Sequence, residues 1–122
     1  MNDAMNGARV LDRAAVLAAP DLKPVALAVP EWGGTVYVRG LTAAEAEANA
    51  RDTLAARREG NEIAELVMVR AVAACVCDAS GAPLFTAADV AALARKSAPS
   101  ISRVFRAIER LSGMASEDAE KN

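Results

Sequence analysis

Histidine is missing from the chain altogether, and aromatic side chains are few: one Trp, one Tyr and two Phe in 122 residues. The first absence removes the side chain whose charge changes near neutral pH, so neither a Ser-His-Asp nor a Cys-His arrangement can be built within one chain. The second excludes an aromatic-rich core. Cysteine is scarce as well. Cys75 and Cys77 stand one residue apart, which is not the CxxC redox spacing. In a helix they would point about 200° apart, and in a strand they would share a face yet make a poor disulfide. Without histidine or a second thiol pair, one chain lacks the donors for a four-ligand zinc site, and both cysteines are expected to be buried small hydrophobes.

Other absences narrow the function further. "EWGG" and the isolated glycines form neither a GxGxxG nor a GxxxxGK[ST] loop, so no phosphate cradle is indicated. Asp78, Ser80 and Asp89 surround a loop too short for an EF-hand and read as turn and cap residues. No apolar run approaches a membrane span, and the first residues, with Asp3 among them, lack a basic segment followed by a secretory-type apolar core. These features lead to an expectation of an intracellular, non-enzymatic protein with no cofactor and no metal.

The net charge is −2, from 14 basic and 16 acidic residues, so nothing draws the chain as a whole to a polyphosphate. The charges are unevenly placed. Between Arg95 and Arg110 lie Arg95, Lys96, Arg103, Arg106 and Arg110 against Glu109 alone, whereas Glu45, Glu47, Asp52, Glu59, Glu62 and Glu65 outweigh Arg51, Arg57 and Arg58 upstream. Complementary docking of two helices or two solvated faces accounts for this, and a basic partner surface is the sharper alternative.

What the chain has in abundance is alanine, thirty residues of it, a composition suited to one domain of helices packed at close range. "VLDRAAVLAAP" reads as a short helix from Asp12 to Pro20. "KPVALAVP" alternates Val25, Leu27 and Val29, and "TVYVRG" alternates Val36 and Val38, with "PEWGG" between them as a reversal, so the two runs pair most simply as an antiparallel hairpin. Thr42 and Glu45 have capping-box spacing at the head of "TAAEAEANARDTLAARREG", which Gly60 would close. Next, "NEIAELVMVRAVAACV", starting at Asn61, carries Ile63, Leu66, Val67, Val69, Val72 and Val76 around more than half its circumference, as expected of the most buried helix or of one covered by a partner. Thr86 and Asp89 repeat the capping spacing before a helix with Val90, Leu93 and Ala94 turned inward. Ile101, Val104, Phe105, Ile108 and Leu111 then line one face of a last helix, for which Gly113 offers a stop. The expected fold is α+β and mainly α-helical, an N-terminal β-hairpin followed by about four helices. Residues 1–15 form a flexible or short helical N-terminus, 16–114 a single domain and 115–122 a disordered tail.

The order "VPEWGGTVYVRGLTAAEAE", a central apolar helix, then "DASGAPLFTAADVAALARKSAPSISRVFRAIERLSGM" resembles the tail assembly chaperones of long-tailed bacteriophages and prophages. The resemblance covers roughly Val16 to Met114. It rests on a short strand pair with a W-G-G turn, an LT-type helix start, a D-x-x-G-x-x-L-F-T/S segment before a helix, and a helix ending near L-x-G. Each element alone is a turn or a cap; their order and spacing carry the match. Trp32, Gly33 and Gly34, Leu41 and Thr42, and Gly81, Leu84, Phe85 and Thr86 look like shared fold markers.

The resemblance implies a non-catalytic protein of the bacterial host cytoplasm that holds the tape measure protein while tube subunits assemble and is absent from the finished virion. It also implies that the chain, which stops after "SEDAEKN", matches the short form of a family often made with a frameshifted longer product. The partners expected are the tape measure protein, the tail tube protein and a second copy of the chain. Val69, taken as exposed, with Arg103 and Arg106, are the candidate interface residues, and Trp32 is either an anchor of the hairpin or a partner contact. A structural tail connector is the alternative reading. A nucleic-acid-binding regulator, motivated only by the Arg95 to Arg110 cluster, is the other.

Overall fold

The structure, a computed structural model, describes residues 3–4, 6–7, 9–59 and 63–114. The Gly60 stop, the Asn61 start and the tail 115–122 lie outside the described residues. Near the N-terminus, Asp3–Ala4 pairs antiparallel with Asn6–Gly7, a contact that the sequence does not announce. Helix α1 (Arg13–Ala18) starts where expected. The Asp12 carboxylate accepts from the Ala15 amide at 2.9 Å, and the helix ends ahead of Pro20.

The hairpin forms as the alternation requires. Strand β1 (Val25–Val29) pairs antiparallel with β2 (Gly34–Val38), with Leu27 opposite Val36 and Val29 opposite Gly34. One face carries the fully buried Val29 and Val38 and the half-buried Leu27 and Val36, while Tyr37 points to the exposed side. Pro30–Trp32 forms a 3-10 turn closed by Gly33 at φ 73°, a left-handed conformation that a side chain would strain. Gly34 needs no such freedom, because it is the first residue of β2.

A third strand, absent from the expected fold, completes the sheet. β3 (Val76–Cys77) pairs antiparallel with β2, Val38 opposite Val76 and Tyr37 opposite Cys77, so the strand order is β1-β2-β3 and β1 is an edge. Val76 therefore belongs to the sheet and not to the preceding helix. The open side of β2 captures the chain as it leaves the helix, beginning with the Arg39 amide, which donates to the Cys75 carbonyl at 3.0 Å. Two residues are too few for alternation to reveal a strand. Cys75 ends the helix and Cys77 lies in the strand, and both are buried free thiols.

The helices are α2 (Ala43–Glu59), α3 (Ile63–Cys75), α4 (Val90–Leu93) and α5 (Ala98–Leu111). α3 lies at the centre, packed by α2, α4 and α5, while α5 also crosses the inner face of the hairpin. Its buried residues Val67, Val69, Ala71, Val72, Ala73 and Cys75 spread over about two thirds of the helix circumference. From Val67 onward most of the apolar perimeter is thus covered by the chain's own elements, whereas Leu66 is exposed. The continuous helix expected after Thr86 is shorter: Ala87–Asp89 is a 3-10 turn, α4 adds a single α-turn, and Ala94 is exposed. On α5, Ile101, Val104, Ala107 and Ile108 are buried, Phe105 is half-buried, and Leu111, at the end of the helix, is exposed. Ser97 caps its start, and Gly113 and Met114 close its end through bonds to the Arg110 and Glu109 carbonyls at 3.2 and 2.9 Å.

Candidate partner-binding surface

The residues that hold the hairpin to the helices meet at Arg39, directly after β2. Its guanidinium donates to both Glu45 carboxylate oxygens at 3.0 and 3.2 Å, to the Ala74 carbonyl at 2.9 Å and to the Gly40 carbonyl at 2.8 Å. Glu45 also completes the capping box at Thr42. It accepts from the Thr42 amide at 2.9 Å, while its own amide donates to the Thr42 hydroxyl at 3.1 Å. One carboxylate thereby fixes the start of α2 and joins it to β2 and, through Arg39, to the end of α3. The Arg39 hydrogen bond, against the opposing effect of burial, holds the Glu45 carboxyl below its usual 4.5.

A carboxylate depressed on folding contributes stability that is complete above its unfolded pKa and is lost as pH falls through the folded one. Glu45→Gln is therefore expected to cost about 2 kcal/mol at neutral pH and to flatten the acid side of the stability profile. Urea melts across the carboxylate range check this, and identical acid dependence in the two proteins would contradict it.

Trp32 leaves the turn towards the helices. It is half-buried, packs against the core as Phe85 does, and borders with Phe85, Leu93 and Lys96 an open hollow of about 340 Å³. Its indole Nε1 is buried with no hydrogen-bond partner among the described residues. The ring thus contributes apolar area, while the N–H adds a desolvation cost. Trp32→Ala should destabilise by about 2 kcal/mol, whereas Trp32→Phe, which removes the orphan donor, should cost under about 1 kcal/mol. Thermal melts of the two variants separate ring from N–H.

Among the other marker residues are turn, cap and core-packing positions. Gly81 has φ 93° in the turn after β3, where the Asp78 carboxylate accepts from the Ser80 and Ala82 amides at 2.9 and 3.0 Å. Phe85 packs on the core, and Thr86 exchanges hydrogen bonds with the start of the following turn, its amide donating to Asp89 at 2.9 Å.

Of the three candidate interface residues, Val69 is displaced from its expected role: it is 5% exposed and belongs to the core. Leu66, one turn earlier, is exposed. Arg103 and Arg106 do lie on the exposed side of α5. Arg103 is engaged in a bidentate pair with Glu31 of the hairpin turn, at 2.9 and 3.0 Å. Together with Arg106, Arg110, Leu27 and Pro99 these residues line an open groove of about 610 Å³ between β1 and α5. Arg110 belongs to the basic cluster seen in the sequence, whereas Glu31 carries no sequence signal of this role, since the fold alone brings the turn to the helix. Arg95 and Lys96, counted with the same basic cluster, are not part of the groove lining.

No family model matches the sequence, and neither does any curated protein. Among solved structures, that of the bacteriophage HK97 tail assembly chaperone superposes on this chain with a TM-score of 0.62, covering 80% of this chain and 94% of that chain at 18% identity. The two chains share a fold. The expected resemblance is thereby supported at the level of architecture, with so few identities that side-chain roles do not transfer with it. The groove and the Arg39 junction stand on this chain's own geometry.

Proposed function

We propose that this protein is a non-catalytic tail assembly chaperone of a phage or prophage. In this reading it binds the tape measure protein in the cytoplasm of the bacterial host while the tail tube assembles, and it is left out of the finished virion. The observation that carries the reading is the shared fold with the HK97 tail assembly chaperone, which extends over nearly the whole of that chain.

The chemistry of the described residues is compatible with a binding role. Burial pushes the Cys75 thiol up to about 11, which keeps it protonated and poorly nucleophilic near neutral pH. Among the described residues, no group of three or more His, Cys, Asp or Glu could hold a metal ion, and no helix is long and apolar enough to cross a membrane. Purified particles provide the test. Mass spectrometry should find the protein in the lysate of producing cells and not in the particles, whereas a fixed copy number per particle would identify a structural connector.

A further inference from the structure

The groove beside α5 has a second property besides its arginines. Strand β1 is the edge of the sheet, and among the described residues no strand pairs with its outer side. Every second residue of this five-residue strand therefore presents its backbone donor and acceptor to an incoming chain, and the strand is bracketed by Pro24 and Pro30, which have no N–H to offer. α5 crosses the inner face of the hairpin, from the turn beside β1 towards the chain that leaves β2. Arg103 meets Glu31 at the turn end of the hairpin, and Ser112 accepts from the Leu41 amide at 2.8 Å at the open end.

The groove lining holds three arginines against one carboxylate, and that carboxylate, Glu31, is already paired with Arg103. Arg106 and Arg110 are exposed, and neither is in an ion pair among the described residues. Four residues of helix separate them by about 6 Å along the axis, close to the two-residue repeat of a strand at about 6.6 Å.

From this juxtaposition we infer that the groove docks an extended acidic segment of a partner protein. The segment adds to the sheet beside β1 and sets carboxylates two residues apart against Arg106 and Arg110. Backbone pairing supplies affinity, and the arginines select the sequence. A second copy of the chain is a poorer occupant, because pairing two β1 edges about a two-fold axis would bring two arginine rows together. A nucleic acid would satisfy the arginines and leave the strand edge unused, on a chain whose net charge is −2. The peptide chemistry stands on the groove itself; taking the tape measure protein as its source rests on the proposed function.

The test uses fluorescence anisotropy on the full chain with a labelled peptide of about eight residues alternating valine and glutamate. Its counterparts carry lysine for glutamate, or a proline at the centre. Saturable binding is expected, weakened about tenfold or more by R106E/R110E, by the lysine peptide and by the proline peptide. Both arginines are exposed, so the variant should keep the wild-type circular dichroism and melting temperature. No binding of the acidic peptide, or equal binding of the lysine peptide, would overturn the assignment and leave the arginines as protection of a strand edge. Tighter capture of a labelled oligothymidylate through the same arginines would overturn it in favour of nucleic acid. Self-association abolished by R106E/R110E and not displaced by the acidic peptide would overturn it in favour of a second copy. A tape measure protein that still co-purifies with R106E/R110E would refute this site and leave the chaperone reading intact.

Discussion

Gly40→Val is expected to destabilise the protein by about 3 kcal/mol or more, lowering the melting temperature by about 10 °C or more. Gly40 is buried between the end of β2 and the end of α5. A Cβ placed on it would stand 2.8 Å from the Leu111 carbonyl oxygen and 3.0 Å from its carbon. Both atoms are backbone, so no rotamer change relieves the overlap, and the two additional methyl groups of valine make it worse. The close approach also permits the Ser112 hydroxyl to accept from the Leu41 amide at 2.8 Å while donating to the Ile108 carbonyl at 2.6 Å. Separating the two backbones would break the first of these bonds and leave a part-buried amide without its partner. Gly40→Ala should show the same effect at reduced size. Calorimetry on both variants checks the ordering, and a valine variant as stable as wild type would show that α5 does not lie against this glycine.

Val69→Asp is expected to cost more than about 4 kcal/mol and to leave little folded protein at ambient temperature. Val69 is 5% exposed and belongs to the apolar core cluster, where an aspartate carboxylate would lose its hydration. Leu66→Asp makes the contrast, because Leu66 is 42% exposed and the change should stay within about 0.5 kcal/mol. Far-UV circular dichroism with urea titration distinguishes the two. A native-like Val69→Asp would mean that the valine face of α3 is open to solvent. Lost partner binding by this variant would accordingly report unfolding, whereas Leu66→Asp probes the α3 surface with the fold preserved.

Local chemistry made much of this architecture legible. Asp12, Thr42 with Glu45, and Thr86 with Asp89 all cap the elements they precede in sequence, because capping spans three residues and leaves a fixed spacing. The hairpin followed from alternation around a Pro-Glu-Trp-Gly-Gly turn. Contacts made only by the finished fold were not legible. β3 is two residues long and exists because β2 has a free side. Arg39 reaches Glu45 and Ala74 across three elements. Gly40 is needed for a neighbour seventy-one positions away. The width of the apolar perimeter on α3 was compatible with both core and interface, and only the packing of α2, α4 and α5 on it decides the matter. For the candidate surface, Arg103 and Arg106 stood out as charges in the sequence, but their partner Glu31 and the open edge of β1 emerge only when the hairpin meets α5.

The most direct measurement of the chaperone role is co-expression of the tagged protein with the tape measure protein encoded in the same genome, followed by affinity purification and size-exclusion chromatography. A chaperone should give a soluble complex in which the tape measure protein elutes with the tagged chain and is lost to the pellet when that chain is omitted. A tape measure protein whose solubility is the same with or without this chain, and which elutes apart from it, would contradict the chaperone role.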